Sequence, residues 1–112
     1  MITKETLGLV LGKEVTQIMG THLDGQLYYE FESNKYPLNL DTLGRLCKEW
    51  CFKQGYSQYI KIRKDLMNLY EEDHFFVVQF GIGSDKNAIQ FTGKTELEAI
   101  IKATQWVAKE KD

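Results

Sequence analysis

The apolar positions of this 112-residue chain change spacing along the sequence, and each change predicts a boundary between a helix and a strand. Leu7, Val10 and Leu11 are spaced i, i+3, i+4, which is helical spacing. Thr3 precedes them as an N-cap, and Gly12 follows as a stop. The pattern predicts a short first helix that needs support from the rest of the fold.

A hairpin and a third strand are predicted next. Residues rich in Val, Ile, Thr and Tyr flank the dipeptide Asp24-Gly25, which is typical of a two-residue hairpin turn. Pairing of Leu23 with Gln26 would build the buried face from Ile18, Gly20, His22, Leu27, Tyr29 and Phe31. The third strand, residues 36–40, contains the single proline, so we expect that proline at a strand start or a sheet edge.

A central helix is predicted between Asp41, as its cap, and Gly55, as its C-terminal stop. Its apolar residues follow the spacing i, i+3, i+4, i+7, i+8 of a helix that packs on a core. They are Leu43, Leu46, Cys47, Trp50 and Cys51. Both cysteines are therefore expected to face inward.

Three further strands and a last helix complete the chain. The strands are predicted at residues 56–62, 75–83 and 87–93, and Thr95 with Glu98 forms a capping box that opens the helix. The helix has a core stripe of Leu97, Ile100, Ile101, Thr104, Val107 and Ala108. The resulting order, α-β-β-β-α-β-β-β-α, predicts an α+β fold of antiparallel sheets with helices packed on one face, in a single domain of residues 1–112.

Composition limits the classes of function. A hydrophobic content of 43% supports a packed core, and a net charge of -2 is untypical of a polyanion-binding protein. Residues 42–64 are an exception, with six basic residues against one glutamate, a net charge of +5. Neither a signal peptide nor a membrane span is evident, so we expect a cytoplasmic protein with no membrane association and with reduced cysteines.

Catalytic or metal chemistry has weak support in the sequence. Cβ atoms four residues apart on a helix lie about 5 to 6 Å apart, whereas a disulfide needs roughly 3.5 to 4.5 Å. A zinc site would need Cys47 and Cys51 plus distant His22 and His74, and buried packing thiols are the favoured interpretation. The acidic run that ends at His74 is interpreted as a solvated turn. We therefore expect no catalytic residues, no metal and no cofactor, with a metal-dependent enzyme as a further alternative.

Two surfaces are candidates for binding. On the predicted strand at 56–62, aromatic and basic residues share one face, where they could contact a nucleic acid or form an ordinary solvated surface. The candidate nucleic-acid residues are Lys53, Tyr59, Lys61, Arg63 and Lys64. Phe52 and Trp106 point away from the core stripes of their helices, so they are either candidates for a protein interface or covered by a second layer or by the first helix.

Two short motifs carry a resemblance to a known group of proteins. The first is Glu-Trp, followed by Gly-Tyr, in the central helix and its exit, and the second is a Thr-Glu-x-Glu-Ala-Ile-x-Lys-Ala-x-x-Trp pattern near the C-terminus. The matching residues are Glu49, Trp50, Gly55, Tyr56, Thr95, Glu96, Glu98, Ala99, Ile100, Lys102, Ala103 and Trp106. On these motifs the chain resembles small uncharacterised proteins encoded by bacteriophages and related mobile elements. The resemblance implies no assigned activity.

The predicted order of elements in residues 41–110 is also similar to that of the double-stranded-RNA-binding domain. That domain opens its last helix with Ser or Thr followed by a lysine pair that holds phosphate. Here Thr95 stands at the cap, while Glu96 and Leu97 stand where the lysines would be. The resemblance therefore implies a similar fold, and it does not extend to the lysine pair that contacts RNA.

The sequence as a whole favours a small non-enzymatic protein of phage or mobile-element type that binds another protein, such as a host factor. A nucleic-acid-contacting module is the alternative. We expect a monomer or a homodimer.

Overall fold

The order of helices and strands follows the spacing of apolar residues. The computed structural model describes residues 2–20, 26–63, 74–81 and 84–110, and gives their side chains except at positions 59–88. The elements are α1 (Lys4–Leu11), β1 (Gln17–Gly20), β2 (Leu27–Phe31), β3 (Asn34–Pro37), α2 (Leu40–Lys53), β4 (Tyr56–Arg63), β5 (His74–Gly81), β6 (Ser84–Gly93) and α3 (Glu96–Glu110). The predicted α+β class and the order α-β-β-β-α-β-β-β-α are confirmed.

The strands form two antiparallel sheets: an N-terminal sheet in the order β1-β2-β3 and a C-terminal sheet in the order β4-β5-β6. Two side chains of β4 show where the helices lie. The ring of Tyr56 contacts Trp106 of α3, and Gln58 bonds to Cys51 of α2. Because residues two apart in a strand face the same side, α2 and α3 pack on one face of the C-terminal sheet, as the sequence predicts.

The first hairpin has a different register from the predicted one. Ile18 pairs with Tyr29, whereas pairing of Leu23 with Gln26 would place Ile18 opposite Phe31. The predicted register is therefore wrong by two residues. Since the side-chain period of a strand is two, the shift changes partners across the hairpin without moving any side chain to the other face. The predicted turn dipeptide lies outside the described residues.

The third strand begins and ends earlier than predicted, at Asn34–Pro37 instead of 36–40. Glu32 and Ser33 connect it to β2, and both have left-handed backbone angles, with φ of 50° and 65°. Two such residues make the tight turn that suits a hairpin, but that turn usually contains Asn or Gly. Glu32-Ser33 is not a dipeptide typical of this turn, so the predicted start of the third strand lies two residues too late. Pro37 ends β3, an outer strand of the N-terminal sheet, which confirms its predicted edge position.

The N-cap of α2 is Asn39 instead of the predicted Asp41. The Asn39 Oδ1 accepts hydrogen bonds from the backbone N–H groups of Asp41, at 2.9 Å, and of Thr42, at 3.2 Å. Asp41 lies in the first turn, where a carboxylate is favoured by the helix dipole. At the other end of the helix, Gly55 adopts a φ of 96°, so its predicted role as a stop is confirmed.

The caps of the other two helices match the sequence prediction. The Thr3 side chain accepts from the Thr6 N–H, and Gly12 ends α1 with a φ of 69°. At α3, the Thr95 hydroxyl accepts from the Glu98 N–H at 3.1 Å. The Glu98 carboxylate bonds to the N–H of the residue before Thr95, at 3.2 Å, and so completes a variant of the capping box.

One contiguous core contains residues from all three helices and from the segments around the N-terminal sheet. Its buried members are Ile2, Leu7, Val15, Leu38, Leu43, Cys47, Ala99, Ile100, Ile101 and Ala103, and Ile18, Leu27, Tyr29 and Phe91 pack against them half-buried. Within the described residues, no helix is both long enough and apolar enough to span a bilayer.

Gly93, at the end of β6, allows the chain to pass close to α3. A Cβ at this position would lie 2.7 Å from the Ala99 backbone nitrogen and 3.0 Å from the Thr95 carbonyl oxygen. Gly44 of α2 differs, because a Cβ there would meet Leu97 and Ile100 side chains at 3.6 and 3.7 Å, which is ordinary contact.

We expect Gly93→Ala to lower the free energy of unfolding by about 1 to 3 kcal/mol, because backbone atoms cannot yield to the added methyl group. Gly44→Ala, the matched control, should leave it unchanged or raise it by about 0.5 to 1 kcal/mol through its better helix propensity. Urea unfolding of the two variants measures both effects. Equal changes at the two positions would contradict this account.

Candidate functional site

The two cysteines lie on the inner face of α2. Cys47 and Cys51 are both 0% exposed, and neither is in a disulfide. Trp50, between them, is half-buried. The prediction that both thiols face the core is confirmed.

Cys51 belongs to a directed chain of hydrogen bonds that links three elements. The Gln58 amide of β4 donates to the Cys51 Sγ at 3.1 Å, and the Cys51 thiol donates to the Thr104 hydroxyl of α3 at 3.7 Å. The Thr104 hydroxyl in turn donates to the Ile100 carbonyl at 2.7 Å. Gln58 and Thr104 could also donate to a thiolate, so these hydrogen bonds fix the position of the sulfur and do not themselves hold the proton on it. The Gln58 Oε1 is buried without a partner among the described residues.

The environment of the thiols opposes ionisation. Burial raises the pKa of Cys47 from 9.0 to about 11, against the opposing effect of a hydrogen bond to Thr104, and the nearby Cys51 raises it further. Burial likewise raises the pKa of Cys51, although hydrogen bonds to Thr104 and Gln58 act in the other direction. The thiolate is the form that attacks substrates and binds metals. Because burial keeps both thiols protonated, the two cysteines serve as packing residues.

The basic segment divides between α2 and β4. Lys53 is exposed at the end of α2. The backbone of β4 alternates, so positions 59, 61 and 63 share the sheet face opposite to that of Tyr56 and Gln58, which contact the helices. The side chains of Tyr59, Lys61 and Arg63, and all of Lys64, lie outside the described part.

The two candidate interface aromatics have different surroundings. Phe52 is 60% exposed on the outer face of α2. Trp106 is half-buried: its ring meets Tyr56 edge-on at 5.7 Å and lies 6.3 Å from Phe91, measured between ring centres. Trp106 also lines an open groove between α1 and α3 with Leu9. Phe52 is therefore exposed to a partner, whereas Trp106 is already partly packed against its own chain.

The candidate metal ligands in the acidic run and at His22 lie outside the described residues, and of His74 only the backbone is described. Elsewhere in the described ranges, no group of three or more His, Cys, Asp or Glu side chains is placed to hold a metal ion.

An aromatic cluster on the N-terminal sheet was missed in the sequence. The Nζ of Lys13 lies 6.0 Å from the ring centre of Tyr29, 5.4 Å from that of Phe31 and 5.5 Å from that of Tyr36. Tyr29 and Tyr36 stack across neighbouring strands at 5.4 Å. The alternating aromatics at 29 and 31 signal one sheet face, but no local pattern places Lys13 above it. We call Lys13, Tyr29, Phe31 and Tyr36 the aromatic cluster.

No protein-family model, curated protein or solved structure was found to match this chain.

The raised thiol pKa predicts a stability that falls at alkaline pH. In the unfolded chain Cys47 ionises around its ordinary pKa of 9.0, whereas in the folded chain it keeps its proton to about pH 11. Above pH 9 the unfolded state thus loses protons that the folded state retains, and stability declines. We expect this one residue to account for up to about 2 to 3 kcal/mol of the loss by pH 11.

Urea unfolding of wild type and Cys47→Ala between pH 8 and 11, under reducing conditions, isolates this contribution. The variant should be less stable at pH 8 and should lose less stability on the way to pH 11. All other ionisable groups are common to both chains. Parallel curves for the two proteins would contradict the assignment.

Proposed function

We propose that this chain is a non-enzymatic protein-binding module that docks through the outer face of α2. The observation that carries the proposal is Phe52, whose ring is 60% exposed although α2 packs its other face on the core. Aromatic residues are enriched in the buried centres of protein interfaces, where a single ring can supply much of the binding energy.

The charges around Phe52 define the partner that fits. Lys48 lies one helical turn before it and Lys53 directly after it, while Glu49 forms an ion pair with Arg45 at 3.0 Å. That ion pair neutralises Glu49, which also lies one turn before Phe52. It leaves Lys48 as the cation on the same face of the helix, with Lys53 about 100° around from the ring. The complementary surface is an apolar pocket rimmed by carboxylates.

The raised thiol pKa values support a binding function over thiol chemistry, because a protonated, buried thiol is a poor nucleophile. The resemblance to phage and mobile-element proteins suggests a host protein as partner, and we place this interaction in the cytoplasm. We propose that the free protein is a monomer or a homodimer.

Nucleic-acid contact is the second candidate. It is favoured by the strand alternation that puts positions 59, 61 and 63 on the sheet face away from the helices. The carboxylates of Glu96 and Glu98 in the first turn of α3 oppose a phosphate approach at that end of the helix.

We expect Phe52→Ala to weaken partner binding at least tenfold while changing the free energy of unfolding by less than about 0.5 kcal/mol, because the ring is exposed. Wild type, Phe52→Ala and Leu9→Ala serve as baits in nuclease-treated lysate of the source cells. A protein captured by wild type and Leu9→Ala, but lost with Phe52→Ala, is then purified and titrated directly. Leu9, 47% exposed on α1, is the matched control.

Identical captured proteins for wild type and Phe52→Ala, or equal affinities in the direct titration, would contradict the α2 surface. Salt-sensitive binding to DNA or RNA that Lys61→Ala with Arg63→Ala weakens, and that Phe52→Ala leaves unchanged, would favour the second candidate instead.

A further inference from the structure

The aromatic cluster gathers three rings around one ammonium group. Tyr29, Phe31 and Tyr36 all lie within 6.0 Å of the Lys13 Nζ, measured to the ring centres. A cation near the face of an aromatic ring is attracted by its quadrupole, and a significant contact of this kind occurs roughly once per 70 to 80 residues. Convergence of three rings on one cation marks this place as a cation-binding surface.

The rings are held in place by the sheet. Tyr29 and Tyr36 are direct partners across β2 and β3, and Phe31 pairs with Asn34 beside the turn. All three rings are half-buried, and Tyr29 also packs against the core. The surface is therefore preformed before any ligand arrives, which lowers the entropic cost of binding.

Lys13 differs from the rings, because only its backbone is held. Its N–H donates to the Gly8 carbonyl at 3.0 Å, and its carbonyl accepts from the Val15 N–H at 3.1 Å. The side chain is exposed. At an exposed site a cation–π contact is weak, so that moving the ammonium aside lowers the affinity of a competing cation only about two- to fivefold.

A quaternary ammonium group fits this surface better than a lysine does. It has no N–H donors that need acceptors, and its methyl groups make apolar contact with ring faces while its charge remains. The segment that forms the site has a net negative charge, which also favours a cation, since residues 1–41 carry three lysines and six carboxylates.

We propose that Tyr29, Phe31 and Tyr36 form a binding site for a quaternary ammonium group, which Lys13 occupies in the absence of ligand. This site lies on the N-terminal sheet and is independent of the α2 surface. The same chemistry is offered by a free methylated amine, such as choline, and by a trimethylated lysine side chain.

Titration with tetramethylammonium chloride, followed by tyrosine fluorescence and NMR at constant ionic strength, tests the site directly. We expect saturable binding, about two- to fivefold tighter in Lys13→Ala because the internal competitor is removed. Lys35→Ala removes the same charge from β3 but faces the other side from Tyr36, so it should leave the affinity unchanged. Phe31→Leu and Tyr36→Leu should each weaken binding at least fivefold, with circular dichroism confirming that the variants fold.

Choline and a trimethyl-lysine peptide then distinguish the two sources, with the unmodified lysine peptide as reference. Tighter binding of choline assigns a small-molecule site, and tighter binding of the trimethylated peptide assigns recognition of a modified protein. Absence of saturable binding in both wild type and Lys13→Ala would overturn the proposal. An unchanged or lower affinity in Lys13→Ala would do the same, because Lys13 would then not be a competitor.

Discussion

The packing of α2 on α3 through small, buried side chains is the constraint on which the rest of the structure depends. Cys51 of α2 meets Thr104 of α3 in the core, and a Cβ at Gly44 would come into ordinary contact with two α3 side chains. Ala99 and Ala103 of α3 are also fully buried. Small residues let the helices approach closely, and close packing fixes the rotation of each helix about its axis.

That fixed rotation determines which side chains reach solvent. Consecutive residues of an α-helix point about 100° apart, so burial of Cys51 turns Phe52 toward the outside. The same rotation places Arg45 and Glu49 on the exposed side, where they pair. The candidate protein-binding face is thus a geometric consequence of the thiols facing inward.

Much of the fold could be predicted from the sequence, because its signals are local. The stripe that contains Cys47 and Cys51, and the glycine stops at positions 12 and 55, depend on neighbours within a few residues. The predicted start of α2 was two residues too late. Asn39 and Asp41 are both good N-caps, and Asn39 takes the role because β3 ends earlier than predicted, at Pro37. Lys13 and Tyr36 are distant in sequence, so only the folded chain shows that they meet.

The central claim is that Cys47 and Cys51 pack the core and are inaccessible in the native protein. Alkylation of the folded chain with excess iodoacetamide, with each thiol followed by mass spectrometry across a urea series, tests it most directly. The account predicts that both thiols react only through global unfolding, with an opening free energy equal to that of urea unfolding. Rapid modification of either thiol without denaturant would contradict it.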